Sequence, residues 1–291
     1  MNGEVDHGRA HDTAPSAAVR IAVCLKWVAH PGEPDDERFS GMSAADASAL
    51  EWALRQADAI RPRFAGSVAS GGAVDGTESV EVTAVTVGPA GADRVLRDAL
   101  ARGATRAVRV DGPKGAESAD VAAALAAVLR HHDWIWCGDY SADRGTGSVP
   151  AFLAAATGSS QALGVIHVDL GPAHGDQGEV LALTRRLDGG RRELLAARAP
   201  TVVSVEGATA PLRRSPLPAV RAAAVRPVEV IHPGAPLHAH DAVVVPYRPR
   251  ARVLPAPPGD DALDRLRVLT DAAAASAARG ETVEATPAEA A

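Results

Sequence analysis

The chain has 291 residues, of which 46% are hydrophobic and only 3% aromatic, and its formal net charge is −6. This length supports one or two domains with a sizeable core, and the scarcity of aromatic residues favours a layered α/β core of small aliphatic side chains. The acidic balance argues against nucleic acid as a partner, and no apolar run approaches the roughly 20 residues that cross a bilayer, so we expect a cytoplasmic protein without membrane insertion.

The first two thirds of the chain alternate between strand and helix patterns. Residues 1–18 show no hydrophobic periodicity and are predicted to be a disordered leader. The predicted elements are a strand at 19–28, a helix from 43, a strand at 81–87, a helix at 93–102, a strand at 107–110, a helix at 118–131, a strand at 134–137 and a helix from 146 to about 156. Such alternation implies parallel strands joined by right-handed crossovers, and it predicts a parallel-sheet, Rossmann-like α/β/α domain.

A different pattern follows. The runs 180–187 and 192–197 flank Asp188-Gly189-Gly190, a strong hairpin signal, so an appended antiparallel hairpin is predicted, followed by a strand at 201–205. Residues 211–227 are rich in proline and arginine without any acidic residue and are predicted to be a surface loop that orders on contact.

The C-terminal residues 236–291 are predicted to be a proline-rich arm with one amphipathic helix at about 260–278. Leu263, Leu266 and Leu269 fall on or near one face of that helix. A single helix of this length is marginal in isolation, so its apolar stripe needs another surface.

The segment from Gly138 to Ser148 joins a buried strand to a helix and contains three glycines. Ligands of open α/β sheets lie outside the carboxyl ends of the strands, where free N–H groups of the next helix can bind phosphate. Thr146 or Ser148 could add a hydroxyl. The segment lacks the lysine of a Walker A loop and the spacing of the dinucleotide fingerprint, and an ordinary turn with Thr146 as helix cap is the local alternative.

Candidate catalytic and metal-binding groups are sparse. Cys24 and Cys137, the two cysteines, end apolar strand runs and are interpreted as small buried hydrophobes. No Ser-His-Asp, Cys-His or paired-carboxylate arrangement is evident, so neither a catalytic residue nor a metal site is predicted.

Six collinear segments within residues 19–235 together resemble the β subunit of electron-transfer flavoproteins. They are VCLKWV at 23–28, MSAADASALEWALR at 42–55, VGP at 87–89 with the helix ending ARGA at 101–104, the loop at 138–148, RLDGG at 186–190 with PTVV at 200–203, and SPLPAV at 215–220. Collinearity makes this resemblance more specific than any single motif.

The resemblance implies an adenine-nucleotide-binding subunit that forms a heterodimer with an α subunit holding the redox FAD, while AMP is a structural nucleotide in the β subunit. Such a chain carries electrons from a dehydrogenase to a respiratory acceptor and catalyses no bond chemistry itself. The implied nucleotide contacts, mostly through backbone, are Cys24, Ser43, Asp46, Val87, Gly138, Tyr140, Ser141, Ala142, Asp143, Arg144, Gly145, Thr146, Gly147 and Ser148. The implied dehydrogenase-docking residues are Ser215, Pro216, Leu217, Pro218, Ala219 and Val220, with Leu217 as the apolar anchor, and the arm is expected to dock on the α subunit.

The chain also departs from the family pattern. Gly145 and Ser148 stand where the family has Asp and Gln, Ala44 and Ala45 replace Pro and an aromatic residue, and Pro150 replaces a glycine. The sequence therefore leaves open whether the nucleotide is AMP or a second FAD, as in the bifurcating class.

The weakly charged stretch 221–226 suggests a specialised dehydrogenase partner, as in mycofactocin-associated actinobacterial forms. The alternatives are a stand-alone nucleotide-binding regulator of the universal-stress type and an adenylating enzyme, although the latter needs a pyrophosphate loop after the first strand.

Overall fold

The computed structural model describes residues 19–28, 38, 40–68, 80–170, 180–239 and 256–276. The strands are β1 (Val19–Cys24), β2 (Val80–Gly88), β3 (Arg106–Asp111), β4 (Trp134–Gly138), β5 (Ser160–Asp169), β6 (Val180–Arg186), β7 (Arg192–Arg198), β8 (Thr201–Val205) and β9 (Glu229–Ile231). The helices are α1 (Ala44–Val68), α2 (Asp93–Arg102), α3 (Ser118–Leu129), α4 (Val149–Thr157), α5 (Leu217–Val225) and α6 (Ala262–Ser276).

The strands form a nine-stranded sheet in the order β7-β6-β5-β8-β4-β1-β2-β3-β9. All neighbours pair in parallel except β6, which is antiparallel to both β5 and β7. The chain therefore runs from β1 through β2 to β3 in one direction and then returns to place β4 on the other side of β1. This reversal between β1 and β4 is the topological switch point at which open α/β sheets bind ligands.

Alternating side chains of the central strands feed two separate cores. Trp134 and Trp136 pack with Leu50 of α1 and Leu96 of α2 on one face of the sheet. Ile135 and Cys137 face the other side, where helices α3 and α4 supply large aliphatic residues such as Leu129 and Leu153. Because both faces are covered by helices, the strands read as nearly continuous apolar runs. The predicted Rossmann-like α/β/α class is confirmed.

Four parts of the sequence-based prediction need correction. Residues 217–225, predicted as surface loop, form α5, which packs against α2. Strands β5 and β9 had not been predicted. The helix expected from Thr146 begins at Val149. The first strand also ends at Cys24, after which Val28 forms an isolated antiparallel bridge with Gly41.

The chain divides into two compact units, residues 1–240 and residues 241–291. In the second unit α6 exposes Leu263, Leu266 and Leu269. None of the helices in the described ranges is both long and apolar enough to pass through a bilayer. The predicted leader, residues 1–18, lies outside the described residues.

Candidate functional site

An open cleft lies at the switch point, at the carboxyl ends of the central strands. It encloses about 1060 Å³ of empty space, its solvent-facing mouth included, and it is lined by the segments that follow β1, β2, β3 and β4. Parallel strands bring these four segments to the same edge of the sheet.

The segment Gly138–Ser148 forms one wall of the cleft and folds tightly on itself. Ser141 N–H donates to the Thr146 carbonyl over 2.7 Å, and Gly145 N–H donates to the Ser141 carbonyl over 2.8 Å. Gly145 has φ +66°, the left-handed region that glycine adopts without strain. A Cβ atom on Gly147 would lie 1.9 Å from the Asp139 carbonyl oxygen. Glycine at 147 is therefore required by the packing of the loop against itself.

Two basic residues tie this loop to its surroundings. The Lys26 ammonium, just after β1, lies 2.9 Å from Ser141 Oγ and 2.5 Å from Asp143 Oδ1. Although burial opposes it, the hydrogen bond from Lys26 holds the pKa of Asp143 below its usual value. Arg144 reaches across the cleft mouth and donates to the carbonyl oxygens of Gly115 and Ala116 over 3.2 and 3.0 Å.

A buried carboxylate occupies the first turn of α1. Ser43 caps this helix, since its Oγ accepts the Asp46 N–H over 3.0 Å. The Asp46 side chain accepts the Lys26 backbone N–H over 3.2 Å and packs against Gly138, where a Cβ would lie 2.7 Å from Asp46 Oδ1. Burial raises the pKa of Asp46 to about 6, against the opposing hydrogen bonds from Lys26 and Ser43.

Two buried polar atoms of the cleft have no hydrogen-bond partner among the described residues. They are Nε1 of Trp27 and Oγ1 of Thr86. The Lys114 ammonium, also at the cleft, lies 5.6 Å from the centroid of the Trp27 ring. Buried donors and acceptors are nearly always satisfied in folded proteins. These atoms therefore fit a polar ligand that supplies the missing partners.

Helix α4 presents its N-terminus beside the same loop. Ser148 occupies the N-cap position but makes no side-chain capping hydrogen bond, and Pro150 follows in the first turn. The first-turn N–H groups thus lack a side-chain cap, and this is the arrangement in which a helix N-terminus can accept an anion.

Most of the predicted nucleotide contacts line the cleft together. They are Cys24, Ser43, Asp46, Val87, Gly138, Tyr140, Ser141, Ala142, Asp143, Arg144, Thr146 and Gly147. Gly145 and Ser148 belong to the loop but do not line the cleft. Sequence reasoning missed Trp27, Thr86 and Lys114. The segment DGPKG at 111–115 was the available signal for Lys114, because it follows a predicted strand just as the 138–148 segment does.

The predicted docking residues do not line the cleft and lie on and just before α5. Leu217, at the start of α5, is 62% exposed, and Val220 on the next turn is 44% exposed. We call Leu217, Pro218 and Val220 the α5 apolar face. The segment that leads into α5 is fixed to α1 by Arg213. The Arg213 guanidinium donates to Glu51 Oε2 over 3.0 Å and to Asp58 Oδ2 over 2.8 Å.

Further arginines hold the far end of α5. Arg97 of α2 donates to the carbonyl oxygens of Ala224 and Arg226 over 2.9 and 3.3 Å. Arg226 in turn donates to the Thr105 carbonyl. Because both ends of α5 are fixed, the exposed apolar face is presented on a rigid support.

Within the described ranges no group of three or more His, Cys, Asp or Glu residues is placed to hold a metal ion.

Comparisons with known proteins agree with this architecture. Residues 40–235 match the electron transfer flavoprotein domain family. Over 217 residues the chain is 28% identical to the electron transfer flavoprotein subunit beta of Methylophilus methylotrophus. The aligned region covers 73% of this chain and 79% of the relative. The family match includes α1 and the 138–148 loop, which contribute to the cleft, and α5, which carries the α5 apolar face. The chain belongs to the electron transfer flavoprotein family, and to its β-subunit type.

Proposed function

We propose that this chain is the β-type subunit of a cytoplasmic electron-transfer flavoprotein. It pairs with an α-type subunit that holds FAD, and the complex carries electrons from a dehydrogenase to a respiratory acceptor. The observation that carries the proposal is the switch-point cleft, whose lining lies within the family match except for the segment that follows β1.

The cleft is proposed to hold a structural adenine nucleotide, AMP. A purine ring and a ribose offer the donors and acceptors that Trp27 Nε1 and Thr86 Oγ1 lack. The uncapped N-terminus of α4 and the Lys114 ammonium suit a phosphate group, since N–H dipoles and a cation both favour negative charge. The Asp46 carboxylate suits the hydroxyl donors of a ribose.

The two basic residues next to the 138–148 loop are not assigned to the phosphate group. The charge of Lys26 is taken up by Asp143, and Arg144 is engaged by carbonyl oxygens across the cleft mouth. These two residues therefore shape and close the wall. Phosphate binding is left to the backbone and to Lys114.

FAD, held mainly by the α-type subunit, would supply the redox chemistry of the complex. This chain contributes binding and orientation. It forms one wall of the subunit interface, and its α5 apolar face presents Leu217 to the dehydrogenase. A single exposed apolar side chain on a rigid support loses little entropy when a partner covers it, which is the behaviour of an interface anchor.

The proposal is tested by co-expressing the chain with an α-type subunit of an electron-transfer flavoprotein. We expect a yellow heterodimer on size-exclusion chromatography, and AMP among the heat-released nucleotides identified by mass. FAD in place of AMP would assign the chain to the bifurcating class.

A colourless mixture without a complex would overturn the proposal. A homodimer that binds ATP would instead favour the stand-alone regulator. In the yellow complex, Leu217→Ala should slow reduction of the flavin by the donor dehydrogenase and leave the flavin content unchanged.

A further inference from the structure

The two cysteines lie side by side at the floor of the cleft. In the parallel ladder of β1 and β4, Val23 is the register partner of Trp136, so the following residues, Cys24 and Cys137, are neighbours. Both pack in the core on the α3 and α4 side of the sheet, and both line the cleft. They are free thiols and the chain's two cysteines.

Their spacing allows a direct bond between the sulfurs. Neighbouring strands lie about 4.8 Å apart, and a disulfide needs Cα atoms about 4.4 to 6.8 Å apart. The side chains also point to the same face of the sheet. The Cα spacing of neighbouring strands therefore falls within the range of a disulfide.

The two sulfurs differ in accessibility. Cys137 is only 3% exposed, whereas Cys24 is half-buried at the cleft. The hydrogen bond with Cys24, together with burial, raises the pKa of Cys137 well above its ordinary value. Cys24 is thus the sulfur that a reagent in the cleft meets first, and Cys137 is held as a thiol beside it.

We propose that Cys24 and Cys137 form an oxidisable dithiol on the floor of the cleft, which a hydroperoxide converts to a disulfide and which a bound nucleotide shields. The shielding rests on the proposed function, whereas the dithiol does not. This proposal departs from the interpretation of Cys24 as a small buried hydrophobe.

The reaction takes two steps. The Cys24 sulfur attacks hydrogen peroxide, the O–O bond breaks, and Cys24 sulfenic acid and one water are formed. The Cys137 sulfur then attacks the sulfenic sulfur, its proton leaves with the hydroxyl as a second water, and the S–S bond forms. The two thiols lose two electrons and the peroxide gains them.

The first test uses the full-length chain and hydrogen peroxide. Titratable thiols should fall from two to none, and peptide mapping without reductant should show the fragments of Cys24 and Cys137 joined within one chain. In Cys137→Ser the sulfenic acid on Cys24 should persist and react with dimedone, while in Cys24→Ser the remaining thiol should resist peroxide. Thiols that survive peroxide in the wild-type chain, a disulfide between chains, or oxidation that begins at Cys137 would overturn the dithiol.

The second test repeats the peroxide reaction with AMP present, after equilibrium dialysis has measured AMP binding. At about ten times the dissociation constant, AMP should slow thiol loss roughly tenfold, since only the empty fraction reacts. If AMP binds and the rate is unchanged, the shielding is wrong and the proposed function stands. If AMP and FAD both fail to bind, the nucleotide part of the proposed function fails as well, and the first test still decides the dithiol.

Discussion

The substitution Asp46→Asn tests the electrostatics of the cleft. A pKa raised from 3.8 to about 6 means that the folded protein disfavours the charged carboxylate by about 3 kcal/mol at neutral pH, because burial outweighs the hydrogen bonds from Lys26 and Ser43. Asparagine removes this penalty and keeps an oxygen that can accept the Lys26 N–H. Its NH₂ group would lie against Gly138 without a partner, at a cost of about 1 kcal/mol. The net expectation is a stabilisation of about 2 kcal/mol at neutral pH.

The pH dependence has a definite sign. The folded protein binds the Asp46 proton more tightly than the unfolded chain does. The contribution of Asp46 is therefore most favourable below pH 3.8, decreases as the pH rises to about 6, and stays low above that. The advantage of Asp46→Asn should accordingly be full above about pH 6.5 and should reverse towards about pH 4, where the wild-type carboxyl group is neutral.

Urea unfolding of both proteins across this pH range measures the difference, and taking the difference cancels other titrating groups. Asp188→Asn is the matched control, because Asp188 is exposed on the hairpin turn and its substitution should change stability by less than about 0.5 kcal/mol. A difference that does not vary with pH, or an Asp46→Asn protein less stable than wild type at neutral pH, would refute the reasoning.

Three further predictions concern other parts of the fold. Burial lowers the pKa of His132, so the wild-type protein should lose stability as the pH falls below 6.5, and His132→Gln should flatten that acid limb in urea unfolding. Glu51→Gln breaks the partly buried ion pair with Arg213 and should lower the free energy of unfolding by about 2 kcal/mol. Amide exchange in α5 should become faster, and unchanged exchange would argue against the role of Arg213 in fixing α5. Gly147→Ala places a Cβ against a carbonyl oxygen, so it should lower the melting temperature and nucleotide retention, whereas Gly41→Ala, with open space around its Cβ, should change neither.

Sequence reasoning was most accurate where local pattern and tertiary structure agree. The helix Asp93–Arg102 and the strand Thr201–Val205 were predicted with their observed ends. Gly103, with φ +121°, provides the helix stop that the sequence showed. The hairpin around Asp188 was equally readable, because glycine at 189 and 190 marks a turn that needs positive φ.

Elements that depend on distant partners were harder to predict. Helix α5 was not predicted because prolines stand before it and in its first turn. The helix is held by arginines that are far away in sequence, such as Arg97. Strand β9 has only three residues and exists because it extends the β3 edge. Neither signal is local.

The site shows the same division. The loop from Gly138 to Ser148 could be recognised as a ligand-binding segment from its place after a strand, and its family resemblance agrees with the family match. The requirement for glycine at position 147 could not be recognised from the sequence, because the close approach to the Asp139 carbonyl oxygen exists only after the loop has folded.

By itself the sequence determined the α/β class, the position of the glycine loop and the family, because hydrophobic period, turn residues and collinear motifs are local properties of a chain. Only the tertiary structure decided that Trp27, Thr86 and Lys114 share the cleft, and that Cys24 lies beside Cys137. Those neighbours are set by strand order and register. The return of the chain past β1 to β4 is a long-range pairing choice that no local pattern encodes.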